Sequence, residues 1–186
     1  KHHQSAIFLA LTLLVGWMSQ ADAQTIRLRE AGTGKSRIVA QVGQSLQIEV
    51  FADLQGVSSA GSSFFISLPE REFFEVRDFG LAGNVGIQPF QQGPLFAGGV
   101  EVSNLLLPES DPVAAQLNGQ QLDYGAVIGL GGDRERTGSG VIATFTLLCL
   151  KPIDNGALDI DDNPIRETRL VLADGISEAR YRTVQG

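Results

Sequence analysis

Histidine, tryptophan, methionine and cysteine are almost missing from this 186-residue chain, and the positions of the few copies matter more than their number. Both histidines (His2, His3), the only tryptophan (Trp17) and the only methionine (Met18) lie ahead of Ala21. That leading stretch starts basic, runs apolar from Ala6 to Trp17 and ends in Ala21-Asp22-Ala23, the layout of a secretory signal peptide with a small-x-small cleavage site. The apolar run is shorter than the roughly 20 residues of a membrane span. Cleavage after Ala23 is therefore expected. It would leave a signal peptide over 1–23 and one secreted domain over 24–186, with no membrane insertion after cleavage.

Without that leader the chain has no histidine, which excludes Ser-His-Asp and Cys-His catalysis and any histidine-ligated zinc site. A lone cysteine, Cys149, allows no internal disulfide, and its place on an apolar strand face predicts a buried, inert thiol. Lys and Arg number 14 against 21 Asp and Glu, for a net charge of −7, and the cations are scattered singly. Nucleic-acid binding and attachment to membranes through a basic patch are excluded on that ground. An enzyme would have to draw on carboxylates such as Glu70, Glu72, Asp78 or Asp133, and no spacing singles out an acid-base pair among them. The expectation is no catalytic residue and no cofactor.

Two motif-like stretches read as turns. Gly32-Thr33-Gly34-Lys35-Ser36 has the end of a phosphate-binding loop but Arg29 where that loop needs glycine. Asp159, Asp161 and Asn163 match the first oxygens of a calcium loop, yet Pro164 replaces the required glycine and Leu170 stands at the bidentate position. The acids Asp159, Asp161 and Asp162 then read as a solvated turn, with irregular calcium binding as the other reading.

What the chain does have is period-two alternation. In SLQIEVFAD, Leu46, Ile48, Val50 and Ala52 point one way; in SSFFISL (Ser62 to Leu68), Phe64, Ile66 and Leu68 point inward and Ser63, Phe65 and Ser67 outward. Leu122, Tyr124, Ala126, Ile128 and Leu130 form a third inward series, and Val141, Ala143, Phe145, Leu147 and Cys149 a fourth. Shorter strands are expected at Thr25 to Arg29, Arg37 to Val42, Phe73 to Val76, Val100 to Leu107, Ala157 to Ile160, Arg169 to Leu172 and Arg180 to Val184. Turns at Asp154-Asn155-Gly156, Asp162-Asn163-Pro164 and Ala173-Asp174-Gly175 separate the last of them. Gly80 to Gly99 reads as a long loop or loosely paired excursion, and one two-turn helix is expected from Asp111 to Asn118. The fold class is all-β: a two-sheet antiparallel sandwich of jelly-roll type, with about nine or ten strands.

Three stretches carry a family resemblance. VGQSLQIEVFADLQGV, SSFFISLPEREFFEVRDFG and GSGVIATFTLLCLK follow the order of a glycine-turn strand, a second strand element and a late Gly-x-Gly strand, and in this the chain resembles the cohesin family of extracellular binding modules. Leu68-Pro69-Glu70 stands where that family usually has Tyr-Asp-Pro, and Ser62 and Ser63 near its usual Asn and Asp pair. The resemblance implies a non-catalytic module at a bacterial cell surface that captures a protein partner, typically a calcium-loaded dockerin, through one sheet face. On this chain that face would present Ser63, Phe65 and Ser67, with Glu101 and Asp123 on neighbouring strands and Phe65 as anchor. The other reading of Phe65 is an apolar residue covered by the Gly80 to Gly99 segment.

A second function class stays open, a structural subunit whose edge strands pair with copies of itself into an extracellular fibre or layer. Polysaccharide binding ranks third: sugars dock on exposed aromatic platforms, and beyond the leader there is no Trp and only Tyr124 and Tyr181.

Overall fold

The computed structural model describes residues 23–112, 114–116, 119–128, 135–161 and 167–184. Among them the alternating segments become twelve strands: β1 (Thr25–Glu30), β2 (Ser45–Asp53), β3 (Ser59–Leu68), β4 (Phe74–Val76), β5 (Phe90–Gln92), β6 (Val100–Leu106), β7 (Gln120–Val127), β8 (Ser139–Cys149), β9 (Asp159–Asp161), β10 (Arg169–Leu172), β11 (Glu178–Arg180) and β12 (Arg182–Thr183). They form two six-stranded sheets. The first runs β12-β1-β2-β8, with β4 and β5 sharing the far edge of β8. The second runs β11-β10-β3-β7-β6, with β9 beside β3 next to the stretch that β10 takes. Pairing is antiparallel throughout, except that β12 lies parallel to β1.

The inward residues of both sheets make one core, in which Ile48, Val50, Phe64, Ile66, Leu122, Phe145 and Leu147 are all buried. Phe64, Phe90, Tyr124 and Phe145 meet at its centre with ring centroids 5.1 to 5.4 Å apart, in the stacked and edge-on geometries that ring quadrupoles favour. Cys149 closes one end of the β8 series as a buried free thiol.

Several expectations need correction. In β8, Val50 faces Ala143 while Phe51 faces Val141, so the strand carries one extra residue. This bulge turns both Ile142 and Ala143 into the core and leaves Val141 only half-buried on the outer side. The Arg37 to Val42 segment forms no strand, because it lies past the last β1–β2 pair, Glu30 with Ile48, and Val39 is 93% exposed. Of the two readings of Gly80 to Gly99, the paired excursion holds and the long loop does not, since β5 pairs with β8. The segment supplies β5 and a 3₁₀ turn, Pro94–Phe96, that bury Phe90, Leu95 and Phe96. Of the expected two-turn helix the described residues show one 3₁₀ turn, Ala114–Gln116, whose first amide is capped by Asp111 Oδ1 at 3.3 Å, while residues 113, 117 and 118 of that segment lie outside the described residues. The strand expected at Ala157 to Ile160 starts two residues later and ends one later, as β9.

The expected Arg180 to Val184 strand is divided between the two sheets. β11 belongs to the second and β12 to the first, and Tyr181 sits at the crossing, buried, with its hydroxyl 3.1 Å from Ser62 Oγ.

Candidate functional site

Register fixes which side chains share the outer face of the second sheet. Ser63 lies between Arg169 of β10 and Gly125 of β7, Phe65 between Asp161 of β9 and Asp123, and Ser67 between Asp159 and Gln121. Across β7, Gly125 faces Ser103 and Asp123 faces Leu105 of β6. Directly paired residues on antiparallel strands point to the same side, so Ser63, Phe65, Ser67 and Asp123 do come together on one face.

Glu101 does not join them. It pairs with Ala126, a core-facing residue, because β6 has its own bulge between Glu101 and Ser103. Its carboxylate turns towards the gap between the sheets, where it accepts from Asn104 Nδ2 at 3.3 Å. Beside it the Tyr124 hydroxyl is buried, and burial first, then the charge of Glu101, pushes that phenol up from its ordinary value.

Phe65 is on the predicted face and is fully buried, so it is no exposed anchor. Leu107 and Ala114 cover it, rather than the Gly80 to Gly99 segment. The face is thereby divided into a covered end and an open end. At the covered end Ser67 Oγ lies 2.8 Å from Gln121 Oε1 and also against the Asp161 carboxylate. A hydroxyl has one proton to give, so Asp161 takes it and the Gln121 amide is best turned to donate to Ser67. Burial, then the neighbouring charge of Asp159, raises Asp161 above the ordinary carboxylate range.

Asp159 and Asp161 therefore belong to a paired strand and not to a turn, and being two residues apart they share the outer face. Asp162 and Asn163 lie outside the described residues. Among the described residues no group of three or more His, Cys, Asp or Glu is arranged to hold a metal ion.

At the open end lies a feature that the sequence did not mark. A Cβ placed on Gly125 would come within 2.8 Å of Val102 Cγ2 and 3.3 Å of Ser103 Oγ. The Val102 side chain therefore lies across the glycine backbone on the outer face, 63% exposed. Val100, equally exposed, pairs with Val127, which in turn pairs with Gly61 and through it with Val171 of β10. The result is a shallow valine strip over a glycine floor. Ser63, whose hydroxyl donates to Glu167 O at 3.2 Å, and Asp123, which accepts from Ser103 Oγ at 3.3 Å, border it.

The outer face of the first sheet is occupied by its own side chains. The guanidinium groups of Arg27 and Arg29 lie 5.0 and 3.9 Å from the ring centroid of Phe51, and Arg29 Nε donates to Glu49 at 2.7 Å. Two of the carboxylates weighed for hydrolysis, Asp78 and Glu72, are also in use. Asp78 accepts from the amides of Gln88 and Gly80, which holds its carboxyl below the ordinary range and staples the following loop. Glu72 pairs with Lys151 at 2.8 Å, beside an open hollow of about 530 Å³ at the end of β3 that Glu70 also lines. Asp133 lies outside the described residues.

No family profile and no curated protein matches this chain. Solved structures do match. The second type II cohesin module of the adaptor ScaA scaffoldin of Acetivibrio cellulolyticus aligns over 88% of this chain and 88% of its own, with a TM-score of 0.63 at 14% identity. A non-cellulosomal cohesin from the archaeon Archaeoglobus fulgidus aligns over 87% and 86%, with a TM-score of 0.55 at 15% identity. A type II cohesin–X-dockerin complex from Acetivibrio cellulolyticus aligns over 87% and 95%, with a TM-score of 0.61 at 13% identity.

Proposed function

From the premise that this chain has the cohesin fold, we propose that it is a secreted, non-catalytic module that binds a protein partner through the outer face of its second sheet. The observation that carries this reading is the exposed Val102 lying over Gly125, an apolar strip on one face of a sandwich whose other face is filled by its own Arg27–Phe51–Arg29 stack. Contiguous exposed apolar surface rimmed by polar groups is what partner-binding faces offer. Val102 takes the anchoring role that the sequence suggested for Phe65, with Ser63 and Asp123 on the rim. A dockerin-type partner is favoured because one similar structure is a cohesin in complex with an X-dockerin. The leader over 1–23 supports an extracellular location, at a bacterial cell surface in keeping with the cohesin resemblance.

Growth by strand addition has less support. β12, β11, β4 and β5 are edge strands of two or three residues each, and β11 carries Glu178 and Arg180. The longest edge, β6, is bulged at Val102, and its end is covered where Leu106 N donates to Ile87 O at 3.0 Å. Short, charged, bulged or covered edges are the devices that block edge-to-edge pairing. Polysaccharide stacking finds no open platform among the described tyrosines and arginine-capped rings: Tyr124 and Tyr181 are buried, Phe51 lies under two arginines and Phe79 under Arg77.

The test is a calorimetric titration of the secreted protein with a calcium-loaded dockerin, repeated with chelator, beside sedimentation of the protein alone. Saturable binding that chelator abolishes and that Val102→Glu weakens about tenfold or more is the expected result. No binding, together with concentration-dependent self-association, would transfer the assignment to a self-assembling subunit.

A further inference from the structure

We infer that the exported protein begins at Gln24 and that this residue closes to a pyroglutamyl lactam, a modification site set by where the leader ends and the first sheet begins. The inference rests on the secretion reading above, and its test separates the two.

The leader's small-x-small triplet ends at Ala23, which is exposed and outside any strand. One residue later the fold takes hold. The Gln24 carbonyl accepts the Arg182 amide at 2.7 Å, Thr25 pairs with both Asp53 and Arg182, and Ile26 is fully buried. Cleavage further along would remove residues that join β1 to both of its neighbours. Cleavage after Ala23 leaves the sheet complete and turns an ordinary peptide nitrogen into a free amine on a glutamine.

N-terminal glutamine is the residue whose own side chain can block it. The α-amine attacks Cδ of the side-chain carboxamide, the N–Cδ bond forms, the Cδ–Nε2 bond breaks, and the amide nitrogen leaves as ammonia with a proton from the amine. No oxidant, metal or co-substrate is needed. Among the described residues neither the nitrogen nor the side-chain amide of Gln24 makes a hydrogen bond, so ring closure breaks no hydrogen bond of the fold. The one bond that Gln24 does make uses its carbonyl oxygen, which the lactam keeps.

The product suits its place. An open α-amine titrates near pH 8 and is largely protonated at neutral pH, which would set a positive charge on the residue before Thr25, the register partner of Arg182. The lactam removes that charge and leaves aminopeptidases no free amine.

The experiment is mass spectrometry of the N-terminal peptide of the full chain, expressed with its leader in a secreting bacterium and recovered from the medium. A Gln24→Ser chain is taken through the same steps. The expected result is a peptide beginning at residue 24, lighter by one ammonia and closed to Edman degradation until pyroglutamyl peptidase is added, whereas the Gln24→Ser chain begins at the same position with an open amine. An open amine on Gln24 itself would overturn the lactam and leave the cleavage reading standing. A terminus at any other residue, or an uncleaved leader, would overturn both.

Discussion

The carboxamide of Asn104 binds the backbone of Phe90 at both ends: Nδ2 donates to Phe90 O, and Oδ1 accepts from Phe90 N, each at 2.9 Å. Asn104 lies on β6 of the second sheet and Phe90 on β5 of the first, so one side chain acts as a peptide group between the sheets at their shared margin. Removing it would strand a buried amide and a buried carbonyl. Asn104→Ala is expected to cost about 2–4 kcal/mol, read as a lower urea midpoint, since each buried unsatisfied group costs about 1–3 kcal/mol. A loss below about 0.5 kcal/mol would show that water replaces both bonds and that the pair holds nothing together.

Asp161 gives the second sheet a pH dependence of definite sign. Burial and the charge of Asp159 raise its carboxyl in the folded state, so the folded chain holds that proton more tightly than the unfolded chain does. Stability from this group is therefore greatest in acid and falls as pH rises from the ordinary carboxylate value through the raised one. Asp161→Asn, which can still accept from Ser67, is expected to be the more stable chain at pH 7, by less than about 1 kcal/mol after solvent screening. The difference should close at low pH, where both side chains are neutral. Urea melts of the two proteins across pH 3 to 7 would reveal it, and a gap that persists in acid would point to packing instead.

Cys149 is buried at the end of the β8 core series, and burial raises its thiol above the ordinary value. The thiolate is the reactive form, so native protein should react with a disulfide reagent at pH 8 far more slowly than a free thiol does, and at the ordinary rate once denatured. Cys149→Ala should leave partner binding unchanged and cost about 1 kcal/mol of stability, in line with the small volume lost. Rapid labelling of the native protein would show that the end of β8 opens readily.

The strands with clean alternation were legible because a residue period of two on a half-buried sheet has one reading. SLQIEVFAD forms β2 over the expected residues, and Leu122, Tyr124, Ala126 and Ile128 are buried as the pattern requires. The bulges in β6 and β8 were not legible, since an extra residue in a strand leaves the composition unchanged and only the partner strand registers it. They account for the errors at Glu101 on the second sheet and at Val141 on the first. The bulge at Val102 turns Glu101 away from the face and lays Val102 across it, and the bulge at Ile142 reverses Val141. Phe65 was placed on the correct face by its parity, but what covers it, Leu107 and Ala114, comes from a segment more than forty residues away in the chain, and no local pattern reports that.

The bulge in β8 also makes a glycine indispensable. Gly93 N donates to Ile142 O at 2.7 Å, and a Cβ on Gly93 would come within 2.3 Å of Val141 O and 2.7 Å of the Val141 carbonyl carbon. These neighbours are backbone atoms of the longest core strand, held by β2 on its other side, so they cannot move aside as a flexible side chain could. Gly93→Ala must therefore either push the turn of Leu95 and Phe96 out of the core or break the bulge. The expected cost is about 3 kcal/mol or more, within the range of overpacked sites. Gly98 has a positive φ of 79° and nothing within 4 Å of where a Cβ would stand, so Gly98→Ala should cost only the backbone strain, about 1 kcal/mol. Urea unfolding of both variants separates close approach from backbone strain, and equal losses would show that the contact between Gly93 and β8 is looser than 2.3 Å implies.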